Sequence, residues 1–316
     1  MGAESNGSLN HLSVFLTGIP GLEAQHGWFS IPFFTMYMVA IVGNCLIMAA
    51  VQADSALHEP MYLFLSMLAI SEVGVSASTL PTVMGILWFD ARRVDFDGCL
   101  AQMFFIHTFS CMESGVLLAM SFDRFVAIYN PLRYTAILPL PRIISMGLGI
   151  MLKSVALMAP LPVLLRQLPY CHVNILSHSY CLHSDLIQLP CADTKLNSIL
   201  GLAIVLATFG LDSLLIVVSY GLILYTVLGI ASREGRWKAL NTCVSHICAV
   251  LVYYVPMIGV SVMHRAAKHA SPVVHTLMSS IYLFVPPVLN PIIYSIKTQP
   301  IRQGIATLFS CKRKLI

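Results

Sequence analysis

The sequence predicts an all-α membrane protein: a bundle of seven transmembrane helices followed by a short amphipathic helix. Three observations predict it. Of the 316 residues, 57% are hydrophobic and only 10% charged, with a mean hydropathy of +0.80. Soluble domains carry about a quarter charged residues, so no water-facing surface can be made from this composition. The apolar residues also fall in seven windows, each long enough to cross a hydrocarbon core that takes roughly 20 residues of helix. Finally, Lys and Arg gather on one side of these windows once they are threaded through a bilayer. The net charge of +4 is modest, and without a basic stripe interleaved with aromatics it gives no sign of nucleic-acid binding.

Residues 1–27 are polar and lack the basic start, apolar core and small-residue cleavage site of a secretory signal. They read as an extracellular tail, with the first span as its own insertion signal. Asn6-Gly7-Ser8 in this tail is a glycosylation acceptor. The seven windows begin near Trp28, Met61, Cys99, Ile143, Ser198, Leu240 and Val273 and make up a domain over 28–297. The third and sixth are the weakest by hydropathy, because they carry polar residues or proline. Helix is still the only state open to them, since lipid offers the backbone no hydrogen bonds.

With the N-terminus outside, the inner loops and tail hold Arg124, Arg133, Arg142, Arg233, Arg236, Lys238, Lys297, Arg302, Lys312, Arg313 and Lys314, eleven of the 18 basic residues. Arg92, Arg93, Arg166, Lys195, Arg265 and Lys268 fall outside, and Lys153 lies within a span. That asymmetry sets the direction of a multi-pass plasma-membrane chain with a cytoplasmic C-terminus. In the last segment, 298–316, Ile301, Ile305, Leu308 and Phe309 recur at helical spacing beside Lys312-Arg313-Lys314. This suits a short helix lying on the inner leaflet lipid, and Cys311 is a candidate for palmitoylation.

Four of the nine cysteines, Cys99, Cys171, Cys181 and Cys191, lie at outer positions. An oxidising exterior favours their pairing, and three pairings are open. Cys45, Cys111, Cys243 and Cys248 read as small packing residues within the spans. His172, His178 and His183 share the long outer loop with the cysteines. A metal site there would need thiolates that disulfides consume, so no metal centre is expected.

Glu72, Glu113, Asp123, Arg124, Lys153 and Asp212 fall inside spans, where an unpartnered charge costs about 3 kcal/mol on insertion scales. Each needs a partner or a water-filled interior, and Lys153 reads either as bundle-facing or as snorkelling. Pro256, Pro286, Pro287 and Pro291 each remove a backbone donor and favour kinks.

Several motifs run along the chain in order. Gly43-Asn44 lies in the first span, and Leu57-His58-Glu59-Pro60-Met61-Tyr62-Leu63-Phe64-Leu65 enters the second. Leu118-Ala119-Met120-Ser121-Phe122-Asp123-Arg124-Phe125-Val126-Ala127-Ile128 and Pro131-Leu132-Arg133-Tyr134 close the third, and Ser219-Tyr220 lies in the fifth. Lys238-Ala239-Leu240-Asn241-Thr242-Cys243-Val244-Ser245-His246 and Pro287-Val288-Leu289-Asn290-Pro291-Ile292-Ile293-Tyr294 complete the set. From end to end the chain resembles the vertebrate odorant receptors. Gly18-Ile19-Pro20-Gly21-Leu22-Glu23 and His178-Ser179-Tyr180-Cys181 are similar to class I (fish-like) members, especially family 51.

The resemblance implies a rhodopsin-like fold with disulfides Cys99–Cys181 and Cys171–Cys191. It implies a non-enzymatic receptor that takes a small odorant and activates a heterotrimeric stimulatory G protein, raising cyclic AMP. Asp123 and Arg124 would form the resting-state switch, with Tyr220, His246, Asn290, Pro291 and Tyr294 completing it; the alternative for Arg124 is a snorkelling surface cation. Glu72 and Glu113 would face each other and hold an allosteric sodium ion or share a proton, or else form a hydrogen-bonded polar core. For the ligand, the resemblance points to Phe104, His107, Leu161, Gly201, Val205, Ile258, Ser261 and Arg265. Most are apolar, as small-molecule pockets are.

Ser261 and Arg265 are four apart and share a helix face. A guanidinium there matches a carboxylate bidentately, which makes an acidic odorant the expected ligand; the alternative is a helix-end cation at the membrane boundary. Ser184 stands where acid-binding relatives carry glutamine, leaving room for a longer ligand. Phe125 and Glu72 depart from the family's usual tyrosine and aspartate.

A metabolite sensor of the same family outside the nose would have the same pocket chemistry. A transporter or channel would suit the intramembrane carboxylates, but no pair of matching interrupted halves is visible. No His-Glu-x-x-His or Gly-x-Ser-x-Gly motif supports an enzyme.

Overall fold

The computed structural model describes residues 12–18, 26–171, 174–176, 178–266 and 272–312, with side chains described for all of these except 26, 174, 261–266, 272, 273, 275–277, 311 and 312. Seven helices are long and apolar enough to cross a membrane: α1 (His26–Ala53), α2 (Pro60–Phe89), α3 (Phe96–Tyr129), α4 (Leu140–Arg166), α5 (Lys195–Leu228), α6 (Arg233–Ala266) and α7 (Pro272–Lys297). An eighth helix, α8 (Gln299–Lys312), comes after the seventh span. Proline at the first position starts α2, where its missing N–H is no loss. The Asp95 carboxylate caps α3 by accepting the backbone N–H of Asp97 and Gly98.

The sixth span is expected near Leu240 but starts at Arg233. Arg233, Arg236 and Lys238 are excluded from an apolar window, yet arginine and lysine are good helix formers. Two spans carry internal irregularities. A turn at Ala159 separates Leu140–Met158 from Pro160–Arg166, where Pro160 and Pro162 lack backbone donors. Within α5, Leu206–Gly210 forms a π-helical turn, the kind of insertion that re-aims the remainder of the helix.

The centre of the bundle is α3, which packs on α2, α4, α5 and α6, while α1 packs on α2, α7 and α8. The α1–α7 seam is close because Gly43 lies against Pro291, where an added Cβ would stand 3.0 Å from the proline ring. Asn44 Nδ2 donates across the same seam to the Pro287 carbonyl at 3.1 Å, an acceptor in the proline-broken part of α7. The α8 helix is seated as well as amphipathic. Ile301 is fully buried, Ile305 and Leu308 pack on the main core, and Phe309 stays exposed.

At the opposite end of the bundle from α8, three short strands form a sheet that no sequence signal predicts. They are β1 (Ser13–Leu16), β2 (Arg93–Asp95) and β3 (Asn174–Leu176). The order is β2-β1-β3, with β1 antiparallel to β2 (Val14 opposite Val94) and parallel to β3 (Phe15 opposite Ile175). Val14 and Leu16 are buried and Phe15 is exposed, the alternation a pleated strand imposes. Segments of three or four residues are too short for that period to be read from sequence. Disulfides Cys99–Cys181 and Cys171–Cys191, with Cα atoms 5.5 and 6.0 Å apart, hold the loop between α4 and α5 over this end. This is the pairing the resemblance implies. Asn6 lies outside the described residues.

Candidate functional site

The loop after β3 is drawn onto α3 by more than its disulfide. Gln102 accepts the Cys181 backbone N–H at 2.8 Å, and its amide donates to the Ser78 carbonyl and Thr82 hydroxyl of α2 at 2.9 and 2.8 Å. Two residues on, the His183 N–H donates to His107 Nε2 at 3.3 Å. The His183 ring lies on Gly201 of α5, where an added Cβ would meet it at 2.7 Å, so only glycine leaves room for it. Burial holds the His183 imidazole down to a pKa of about 4, against a smaller opposing pull from Asp185; the ring is neutral at ordinary pH. His178 Nδ1 stands 3.0 Å from the Asp185 carboxylate. The loop is therefore a lid with polar groups on its underside.

Of the expected ligand residues, His107 and Gly201 meet at this lid. Leu161 is buried in the adjoining cluster with Leu186 and Ile204, and half-buried Val205 packs against the main core. Phe104 packs against the Leu161 cluster from the α3–α4 side, edge-on to Phe105 at 5.3 Å, and Ile258 is exposed on α6. The side chains of Ser261 and Arg265 lie outside the described residues. Gln102 carries no motif signal, because its partners come from α2 and a loop remote in sequence.

Below the lid, four spans meet at Asp212. It accepts the Ser114 hydroxyl at 2.9 Å and pairs with Lys153 Nζ at 3.4 Å, and Ser114 is 2.8 Å from the Tyr254 hydroxyl. Asp212 is buried just past the π-helical turn. Lys153 is thus bundle-facing through its ammonium, with a partly exposed stem.

Beside this network, at the level of Ser114, Glu72 and Glu113 are both buried and near enough for their charges to interact. Asn290 Nδ2 donates to Glu72. Glu113 Oε1 and Asn290 Oδ1 have no hydrogen-bond partner among the described residues.

At the α8 end, the buried Asp123 carboxylate accepts from the Arg124 guanidinium and, at 2.6 Å, from the Tyr134 hydroxyl. Burial and the adjacent Asp123 charge push the Tyr134 hydroxyl above the ordinary phenol range. Tyr220 and His246 Nδ1 are 2.6 Å apart, and His246 Nε2 is 3.0 Å from the Leu117 carbonyl. Tyr294 is buried on α7, and Phe125 stacks on Tyr129 at 5.2 Å. The arrangement has a lid with polar contacts at one end, a charged core that four spans share, and a clamped arginine at the other end. Among the described residues no group of three or more His, Cys, Asp or Glu could hold a metal ion.

A family profile described as "Olfactory receptor" matches residues 33–312. Human Olfactory receptor 51I2 is 56% identical over 303 residues, covering 96% of this chain and 97% of its own length. Human Olfactory receptor 51L1 is 53% identical over 99% of this chain and 100% of its own length. For human Olfactory receptor 51E1 the identity is 49%, over 98% and 97%.

Proposed function

The chain belongs to the olfactory receptor family, and on that premise we propose that it binds a carboxylic-acid or otherwise polar-headed odorant beneath the lid and activates a stimulatory G protein, raising cyclic AMP. It is a multi-pass membrane receptor of the G-protein-coupled class, with a small-molecule ligand and a G protein as partners. In this reading the lid end and N-terminus face outside, as the basic residues near the α8 end favour. The observation that carries the ligand site is the docking of His183 onto both His107 and Gly201. It sets polar groups between α3 and α5 beside the apolar cluster of Leu161, Leu186 and Ile204, the composition of a small-molecule site.

Arg265 sits one helical turn beyond Ser261 on α6 and supplies the counter-charge for a carboxylate. A ligand that touches the lid, α3, α5 and α6 together shifts the bundle only through unequal affinity for its states. The network of Ser114, Lys153, Asp212 and Tyr254 ties α3, α4, α5 and α6 directly below, so it is the element whose arrangement such a ligand biases. Release of Arg124 from Asp123, the carboxylate that Tyr134 also holds, then presents the guanidinium to the G protein. Glu72 and Glu113, with the Asn290 carbonyl oxygen, make a donor set of hard oxygens that suits a small cation. An allosteric sodium ion there would hold the α2–α3–α7 contact.

The test is cyclic AMP accumulation in cells displaying the chain, with straight-chain acids and alcohols of graded length. Acids should activate, and Arg265→Ala, verified at the surface, should lose the acid response by about tenfold or more, as removal of a charge-assisted contact predicts. Alcohols activating both forms equally would remove Arg265 from the site and leave the receptor assignment standing.

A further inference from the structure

On the membrane face of the lid end, α3 and α4 part to leave a groove of about 520 Å³. Its walls are Leu100, Ala101, Phe104, Phe105, Pro162 and Val163. The groove opens where the turn at Ala159 separates Pro160–Arg166 from the rest of α4, and small alanines at 101 and 159 leave the space unfilled. Phe105 and Val163 are exposed beside it, so it faces lipid rather than the bundle interior.

The outer rim differs from these walls. Asp97, in the first turn of α3, and Arg166, the last residue of α4, pair there at 3.1 Å, and their side chains remain 59% and 60% exposed. Both lie at the ends of their spans, hence at headgroup depth. Each charge suits its own helix terminus, so neither depends wholly on the other.

We propose that this groove is a binding site for a zwitterionic phospholipid of the leaflet at the lid end, with one acyl chain along the apolar walls and the headgroup on the ion pair. The charges carry the choice of occupant. A phosphate fits the exposed donors of the Arg166 guanidinium, and the headgroup's own cation, joined to that phosphate by a short linker, falls beside the Asp97 carboxylate. An anionic headgroup without that cation leaves Asp97 facing an uncompensated phosphate charge, and a sterol satisfies neither charge. The site lies on the opposite side of α3 from the lid contacts, and a lipid wedged between α3 and α4 bears on Pro160–Arg166, the segment across the Ala159 turn from the one that carries Lys153.

Native mass spectrometry of the full chain in mild detergent tests it, with phosphatidylcholine, phosphatidylglycerol and cholesterol offered in turn. We expect one phosphatidylcholine to survive activation energies that strip the other two. Val163→Trp, which fills the groove from the lipid side, should lose that adduct. Leu152→Trp, on the same exposed face of α4 three turns away, should keep it. Asp97→Asn leaves the groove open and should abolish the preference for phosphatidylcholine over phosphatidylglycerol, which keeps the question answerable if the tryptophan variant does not fold. Retention of phosphatidylcholine by Val163→Trp, equal retention of the three lipids by the unaltered chain, or selective retention of cholesterol would each overturn the proposal.

Discussion

His183 is neutral because it is buried, and that has a pH signature. Its pKa falls from 6.5 to about 4 on folding, so between those values the unfolded loop takes up a proton that the folded lid refuses. Stability from this group is therefore fully present above about pH 6.5 and is lost as pH falls toward 4, by roughly 3 kcal/mol in all. Hydrogen exchange of the His183–Leu186 turn, corrected for intrinsic rates, should accelerate from pH 7 to pH 5, and His183→Gln should flatten that dependence. Asp212 gives a second residue-scale outcome. Asp212→Ala strands Lys153, leaves Ser114 with Tyr254 alone, and should cost about 1–3 kcal/mol in thermal unfolding. Adding Lys153→Leu should restore part of the loss, because replacing a buried pair by apolar groups is close to neutral.

Among elements, the α1–α7 seam is the most exacting. Gly43 leaves no room beside Pro291, so Gly43→Val should lower stability by about 1–3 kcal/mol through overpacking. A lower melting midpoint beside an unchanged Gly149→Val, at a glycine with nothing near it, would check this. The spans themselves were legible in the sequence because twenty apolar residues in a row are a physical requirement of the bilayer. The charged positions were legible too, since each demanded a partner. What could not be read was which partner: Lys153 meets Asp212 and Ser114 meets Tyr254 through spans far apart in the chain. The π-helical turn at Leu206–Gly210 has no compositional mark, and the strands are shorter than their own period needs. Motif resemblance singled out residues at the α8 end without their pairings, and it gave no sign that Tyr134 is a second donor on Asp123.

For the molecule as a whole, the lid end is held by covalent links and the α8 end by packing. Cys171 and Cys191 close a loop with a separation of 20 residues, and Cys171→Ser should cost about 3 kcal/mol of lid stability. Cys99→Ser should be more severe, because Cys181 also positions the Gln102 and His183 contacts. Surface display of the two variants, compared with total protein, measures the difference; equal losses would mean that the smaller loop carries as much of the lid as the larger. The three-stranded sheet adds a constraint of another kind. Synthesis runs from the N-terminus, so β1 emerges before any span, whereas β2 comes after α2 and β3 after α4. The first-made strand thus waits with both edges open through the first two spans and with one edge open until the chain is more than half complete, and an open edge invites pairing with a neighbouring chain. The tail is in this sense a clasp fastened late, and a stall before β3 emerges leaves the newborn protein exposed to aggregation at the lid end.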